Sequence, residues 1–489
     1  MINSKMSNMK KSNELSRVLI KGGTLSPALF YDIISFAENF GNQYIHLGSR
    51  QDILFSCPMN QNHEHRTEFS LQKKGSAVQN IVSSFVCVDI LPSTSWLYSG
   101  IYLKVLEQFN DTHQLRINIV DPKQNMMPLF YGQLNFVASE TANYWHLYLN
   151  LAADKNLQHW PGLIFTDDIA QFARQLEKVI IQKNLTCKEL LVKEIEKIHL
   201  QKNTLTSDEK IILPEGFFPY YEGFNKVDGK DLYWIGLYWR NNQYPIPFLK
   251  ELCELCRKTN VGKISFTPWK TLIIRDINSK DKMYWDELIG RYGLNMRHSS
   301  FELNWHLPLL DKLALQLKQY IVSKFDQLDI RTYGLSFSIQ RKIDERLTTI
   351  VIRPKGRFPF LGSLDFTRSY TIEYAMDFNP NNNKYVSYAI KLSKKDLPAS
   401  LYELSKKYSA FQFVHYNTQK LAKNERTESK AFTVYQCSNC HSVYDERYGD
   451  QLANIEAGTP FQLLQEDYCC QLCDSAKSDF VETEMWETV

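Results

Sequence analysis

Val434-Tyr-Gln-Cys-Ser-Asn-Cys440 and, later, Asp467-Tyr-Cys-Cys-Gln-Leu-Cys473 each hold a C-x-x-C pair near the end of this 489-residue chain. Each pair can wrap a tight loop around one cation. Together they supply the four soft thiolates of a tetrahedral site, which suits iron or zinc. The expected ligands are Cys437, Cys440, Cys470 and Cys473. Cys469 is the spare, because using it gives a C-x-x-x-C loop and breaks the symmetry of the two knuckles. A module of about sixty residues has little core, so the metal must supply much of its folding free energy.

Upstream, Asn417-Thr-Gln-Lys-Leu-Ala-Lys-Asn-Glu-Arg-Thr-Glu-Ser-Lys430 is polar, charged and almost free of apolar residues, the composition of a flexible tether or a solvated helix. Charge changes sign across it. From Ala431 onward eleven Asp and Glu face only Arg447 and Lys477, a balance of −9; the whole chain carries +3, so the preceding 430 residues carry +12. A basic body can attract its own acidic tail, or acidic redox partners, at low ionic strength; two fused domains can also simply differ in composition.

Between the pairs stand Tyr435, Tyr444-Asp445, Gly449-Asp450, Ile455, Gly458-Thr459, Phe461, Tyr468, Lys477 and Phe480. With the cysteines they make the segment resemble a rubredoxin over its whole length. The resemblance implies one iron cycling between Fe(III) and Fe(II), a small aromatic core beside it, and no open coordination position for substrate chemistry. His441 and Asp474 stand where that family usually has glycines at φ > 0; Gln471 replaces a proline and Tyr468 a tryptophan. A structural zinc ribbon is the competing reading.

The body carries a repeat. Ile20-Lys-Gly-Gly-Thr-Leu-Ser-Pro27 leads into a helical pattern of Leu29, Phe30, Ile33, Ile34, Ala37 and Phe40, with Ser26 as N-cap, Pro27 at the first helical position and Gly41 as the stop. A short alternating strand, Tyr44 to Leu47, follows. Tyr244-Pro-Ile-Pro247 then opens a second helix bearing Phe248, Leu249, Leu252, Leu255 and Cys256, followed by Gly262-Lys-Ile-Ser-Phe-Thr-Pro268 and Leu272-Ile-Ile274. Two such α+β halves would pair their strands about a pseudo-twofold axis.

Lys21-Gly-Gly, Leu25-Ser-Pro27, His46-Leu-Gly-Ser-Arg-Gln-Asp52 and Ile264-Ser-Phe-Thr-Pro268 resemble the ferredoxin-like half-domains of the nitrite and sulfite reductase family. Gln114 to Val120, Tyr144 to Leu151 and Thr166 to Ile180 fit the first sirohaem lobe of that family in outline, and Tyr333 to Ile339 with Thr348 to Ile352 the second. The expected fold class is α+β: a duplicated nitrite/sulfite reductase-like body with pseudo-twofold half-domains, plus a small metal-stabilised rubredoxin domain. Expected boundaries are a disordered N-terminus at 1–13, half-domains at 14–80 and 216–299, degenerate lobes at 81–215 and 300–416, a linker at 417–430 and the rubredoxin domain at 431–489.

The family's 4Fe–4S cluster is held by C-x5-C and C-x3-C, and outside the C-terminal module this chain has no such pair. Outside the module its cysteines are Cys57, Cys87, Cys187, Cys253 and Cys256, the last two inside an apolar-periodic helix where they read as core. No 4Fe–4S cluster is therefore expected. Arg50 aligns with an arginine that in the family contacts tetrapyrrole carboxylates, so the resemblance offers it as a sirohaem contact; the alternative is a structural or solvent-facing side chain. The repeat-equivalent residue is Trp269. His63 and His65 lie in a polar loop, Asn60 to Arg66, and read as surface residues or metal ligands.

No run of 18 apolar residues predicts a membrane span. The polar start, Met1 to Asn13, does not read as a secretory signal, and a cytoplasmic protein is expected. No Walker A, G-x-G-x-x-G, H-E-x-x-H or G-x-S-x-G sequence occurs, and no basic-aromatic stripe predicts nucleic-acid binding. The leading expectation is an electron carrier rather than a catalyst, taking electrons from a donor reductase and passing them to a nitrite/sulfite-type acceptor. The alternatives are a sirohaem oxidoreductase in which the rubredoxin iron replaces the cluster, and a zinc scaffold.

Overall fold

The computed structural model describes residues 15–488 except 59–68, 74, 152–156, 184–192, 196, 199–204, 208, 295–303, 341–346, 357–367 and 427–428. The readings made for 1–13, His63, His65 and Cys187 lie outside the described residues. Two compact units result, Met1–Ser405 and Lys406–Val489.

The first unit opens with β1 (Leu15–Leu19), β2 (Thr24–Leu25), α1 (Pro27–Asn39), β3 (Tyr44–Leu47), β4 (Asp52–Ser56) and β5 (Leu71–Lys73). Ser26 caps α1, its Oγ accepting the Leu29 N–H at 3.2 Å, and Pro27 occupies the first helical turn, where its missing N–H costs nothing. Phe30, Ile33, Ile34 and Ala37 are buried along one face, and Gly41, at φ 76°, makes the left-handed exit. β3 is not alternating as its sequence suggested. His46 is buried because its Nδ1 bonds the Asn242 carbonyl oxygen at 2.6 Å across the seam to the second half.

Next come β6 (Val82–Ser83), α2 (Ser99–Glu107), β7 (Ile117–Val120), β8 (Leu134–Ala138), β9 (Tyr144–Leu149), β10 (Gln158–Phe165), α3 (Ile169–Lys183) and β11 (Leu205–Thr206). The second half follows as β12 (Gly223–Lys226), β13 (Leu232–Leu237), β14 (Tyr244–Pro245), α4 (Ile246–Lys258), β15 (Ile264–Phe266), β16 (Leu272–Asn278) and α5 (Lys282–Arg291). The last stretch holds β17 (Trp305–His306), α6 (Lys312–Gln327), β18 (Phe337–Ile339), β19 (Ile350–Gly356), β20 (Arg368–Ala375), β21 (Tyr385–Leu392) and α7 (Leu397–Arg426).

The two halves exchange strands. One sheet runs β14-β3-β4-β1-β5 and the other β12-β13-β16-β15-β2, so each half lends its two-residue strand to the edge of the other. Tyr244 pairs with Ile45 and Thr24 with Ser265, whose hydroxyls also meet at 2.8 Å. α1 packs on α4, and Phe30 meets Phe266 edge to face at 5.5 Å, so both halves share one core. Burying a side chain such as Phe248 or Leu252 on α4 stabilises by about 1.5–3 kcal/mol.

The lobes repeat each other as well. β6, β7 and β8 are parallel neighbours, then β9 and β10 return antiparallel; β17 to β21 repeat that order and sense. Among the described residues no helix is long and apolar enough to cross a membrane.

In the first lobe Trp145, Leu147 and Leu149 enter the helix-side core, leaving His146 and Tyr148 on the other face. His146 Nδ1 lies 3.4 Å from His159 Nε2, Glu209 Oε2 is 3.8 Å from His146 Nε2, and Tyr148 stacks on His159. Burial, reinforced by His159, lowers His146 from 6.5 to about 4. Between those values the unfolded chain binds a proton that the folded chain refuses, so stability is retained above the unfolded value and falls with pH. The melting midpoint of the first unit should drop from pH 7 toward pH 4, and His146→Leu should flatten that slope; parallel curves for the two proteins would contradict it.

Candidate metal centre

The second unit is built on a small antiparallel sheet, β23-β22-β24, formed by β22 (Ser429–Cys437), β23 (Val443–Tyr444) and β24 (Phe480–Thr488). Its core is aromatic. Tyr444, Phe461 and Leu464 are buried, with Tyr435, Ile455, Tyr468 and Phe480 packed against them. Tyr435 stacks on Phe461 with centroids 4.1 Å apart. Tyr468, the departure from tryptophan, keeps its ring in this core and donates its hydroxyl to Asp450 Oδ2 at 2.9 Å. Gly449, at φ 67°, is required: a Cβ there would come within 2.5 Å of the Ile455 and Glu456 carbonyl oxygens.

Two knuckles of the same design face each other. His441 N–H donates to the Cys437 carbonyl at 2.9 Å and Cys437 N–H to that of Ser442 at 2.8 Å; Asp474 to Cys470 and Cys470 to Ser475 repeat those bonds at 2.9 and 2.8 Å. His441 and Asp474 sit at φ 60° and 57°, so both non-glycine residues accept the left-handed conformation, histidine at the greater steric cost. The sulfur atoms of Cys437, Cys440, Cys470 and Cys473 all lie within 4.8 Å of one another. Cys437–Cys473 and Cys440–Cys470 are the close pairs, at 3.6 and 3.4 Å. Cys469 is outside this group, and its backbone bridges to Ala476.

The surroundings lower two of the four thiols, whereas at Cys473 the Ser475 donors are outweighed by the neighbouring Cys440 and Cys437 sulfurs and by burial, which push that thiol up to about 11. The backbone N–H of Cys440 leads the groups that hold the Cys437 thiol below its ordinary range. At Cys470 burial opposes ionisation, but the Ser442 hydroxyl and the N–H groups of Leu472 and Cys473 outweigh it and bring the thiol down to about 6. Ser442 Oγ lies 3.2 Å from Cys440 Sγ and 2.9 Å from Cys470 Sγ, and Ser475 Oγ lies 3.0 Å from Cys473 Sγ. These serines were not singled out in the sequence. The available signal was the repetition Cys437-Ser-Asn-Cys-His-Ser442 and Cys470-Gln-Leu-Cys-Asp-Ser475. Four sulfurs converging on one point, each free to accept N–H or O–H donors, form a donor set that fits iron.

The other candidates lie apart. Cys253 and Cys256 are fully buried in α4, where burial pushes Cys253 up to about 12 and Cys256 well above its usual value, so both are core residues. Arg50, 6% exposed, donates to Asn118 Oδ1 at 2.7 Å and to the carbonyls of Asn80 and Ile117 at 2.7 and 2.9 Å.

Residues 434–480 match the rubredoxin family. Curated relatives include the probable rubredoxin HupI of Bradyrhizobium diazoefficiens, 44% identical over 52 residues, or 11% of this chain and 75% of that protein. The rubredoxin of Megasphaera elsdenii is 42% identical over 50 residues, 10% and 94% respectively. Rubredoxin-1 of Pseudomonas putida is 27% identical over 108 residues, 21% of this chain and only 62% of its own length. Among solved structures, the NirA protein of Mycobacterium tuberculosis matches 79% of each chain with a TM-score of 0.56 and 13% identity. The body thus has a NirA-like fold.

Proposed function

Because this chain belongs to the rubredoxin family through residues 434–480, we propose that it is a one-electron carrier serving a nitrite- or sulfite-type reductase, with its NirA-like body as the docking domain. The observation that carries this reading is the closure of Cys437, Cys440, Cys470 and Cys473 within 4.8 Å. Iron bound there supplies a one-electron Fe(III)/Fe(II) couple. The chain's own contribution is rigidity and hydrogen bonding. Two hairpins bring the sulfurs together, and the Tyr435, Tyr444, Phe461 and Phe480 rings form the small aromatic core of the same unit. Cys437 and Cys470 are buried while Cys440 and Cys473 reach the surface, which gives the electron its exit. A reducing compartment, the cytoplasm, keeps the four thiols available.

Hydroxyl donors to sulfur stabilise the extra negative charge of the reduced state. Ser442→Ala, which removes the single hydroxyl donor lying 2.9 Å from the Cys470 sulfur, should therefore lower the reduction potential while keeping the iron; an unchanged or higher potential in voltammetry contradicts that role. The body's +12 and the module's −9 suit docking of oppositely charged protein surfaces. The direct test is metal analysis with dithionite titration: stoichiometric iron, bleached and restored reversibly, supports the proposal, whereas stoichiometric zinc refutes it. Transfer to an isolated nitrite or sulfite reductase should slow steeply with added salt.

A further inference from the structure

We infer that the junction where both lobes meet the paired half-domains is closed by this chain's own side chains and takes no tetrapyrrole, so the electron leaves for an acceptor on another protein. The inference rests on the carrier reading and narrows it. It starts from two turns that the repeat makes equivalent. In Gly48–Asp52 the Gly48 N–H donates to the Asp52 carbonyl at 2.8 Å and the Gln51 N–H to that of Gly48 at 3.2 Å. In Thr267–Thr271 the Thr267 N–H donates to Thr271 at 3.0 Å and the Lys270 N–H to Thr267 at 3.0 Å. Gln51 and Lys270 share a left-handed φ, 58° and 63°. Arg50 and Trp269 thus occupy matching positions.

Neither side chain is left to receive a cofactor. The Arg50 guanidinium is spread over one side-chain amide and two backbone carbonyls, and it lies 5.6 Å from the centre of the Tyr131 ring. A cofactor carboxylate would have to displace neutral acceptors already at 2.7–2.9 Å and strand them away from water, at a cost for each lost partner. Trp269 is 5% exposed, donates Nε1–H to the Met126 carbonyl at 2.8 Å and meets Phe218 edge to face at 4.6 Å. Hydrogen bonds tie the lobes in: Phe218 N–H donates to the Gly334 carbonyl at 2.9 Å, and Leu129 N–H to the Asn381 side-chain Oδ1 at 3.1 Å. Among the described residues, a cavity beside Trp269, bordered by Phe218, Ser336, Leu347 and Asn381, measures about 20 Å³. That is room for one water, against roughly 300 Å³ or more for an organic cofactor.

The test uses the full iron-loaded chain. Titrated with sirohaem, it should show no saturable change in the Soret region and no stoichiometric quenching of tryptophan fluorescence; one equivalent bound tightly overturns the inference. Arg50→Ala supplies a second readout. If Arg50 is a strut, the cofactor-free protein melts earlier while its iron content and dithionite bleaching stay intact; an unchanged melting temperature also overturns the inference. Should that variant fail to fold, the titration of the unaltered chain still decides. Iron content, read on the same samples, reports separately on the carrier function, which falls if the iron is missing.

Discussion

Cys470→Ser should abolish the visible absorbance of the iron-loaded protein, whereas Cys469→Ser should leave it nearly intact. The two residues are adjacent, so the contrast tests register rather than neighbourhood. Cys470 is 1% exposed; its sulfur sits 3.4 Å from that of Cys440 and 2.9 Å from the Ser442 hydroxyl. Cys469 stands outside the four-sulfur group. Serine offers a harder, far more weakly acidic oxygen in place of a thiolate, and a tetrahedral sulfur site loses both affinity and its charge-transfer colour with the change. Metal binding to small modules of this kind contributes on the order of 10 kcal/mol to folding, so loss of one ligand should also leave the module largely unfolded at ambient temperature. Iron stoichiometry and the visible spectrum of both variants check this. A colourless Cys469→Ser beside a red Cys470→Ser would shift the second knuckle by one residue and refute the assigned ligand set.

The grouping of the four cysteines was legible in the sequence because a C-x-x-C turn is local: spacing decides which sulfurs can come together. The cap of α1 was legible for the same reason, since Ser26 and Pro27 act within one helical turn. The strand exchange was not. β2 and β14 are two residues each, too short for any periodicity, and their partners lie more than 190 residues away. The matching order of the two lobes was equally hidden. β7 and β8 are buried on both faces, so they show no alternation that could mark a strand or align it with β18 and β19. Arg50 shows where residue-by-residue reading stops. Its guanidinium suits a cofactor carboxylate and a set of carbonyls equally well, and the groups it bonds, on Asn80, Ile117 and Asn118, belong to residues that its own sequence neighbourhood does not reveal.

Removing the metal should unfold the second unit and leave the first standing. The difference lies in how much apolar surface each can bury. Among the described residues of the second unit, the hydrophobic cluster buries Tyr444, Phe461 and Leu464, with little else beyond Val434, Tyr408 and the ligand cysteines, too little for a domain of this size to offset its chain entropy. The first unit has a continuous core through both half-domains, from Val18 to Ile289, and a second in the first lobe. Reduced protein treated with a strong iron chelator should therefore lose the tight packing around Tyr435, Tyr444 and Phe461 and become sensitive to protease between Ser429 and Thr488. The melting transition of the first unit should persist with its pH dependence from His146. Re-addition of iron should restore colour and protease resistance together, because site and fold form in one step. Protease resistance that survives complete iron loss would show that the aromatic cluster holds the module unaided. A first-unit transition that vanished with the metal would show that the two units do not stand independently.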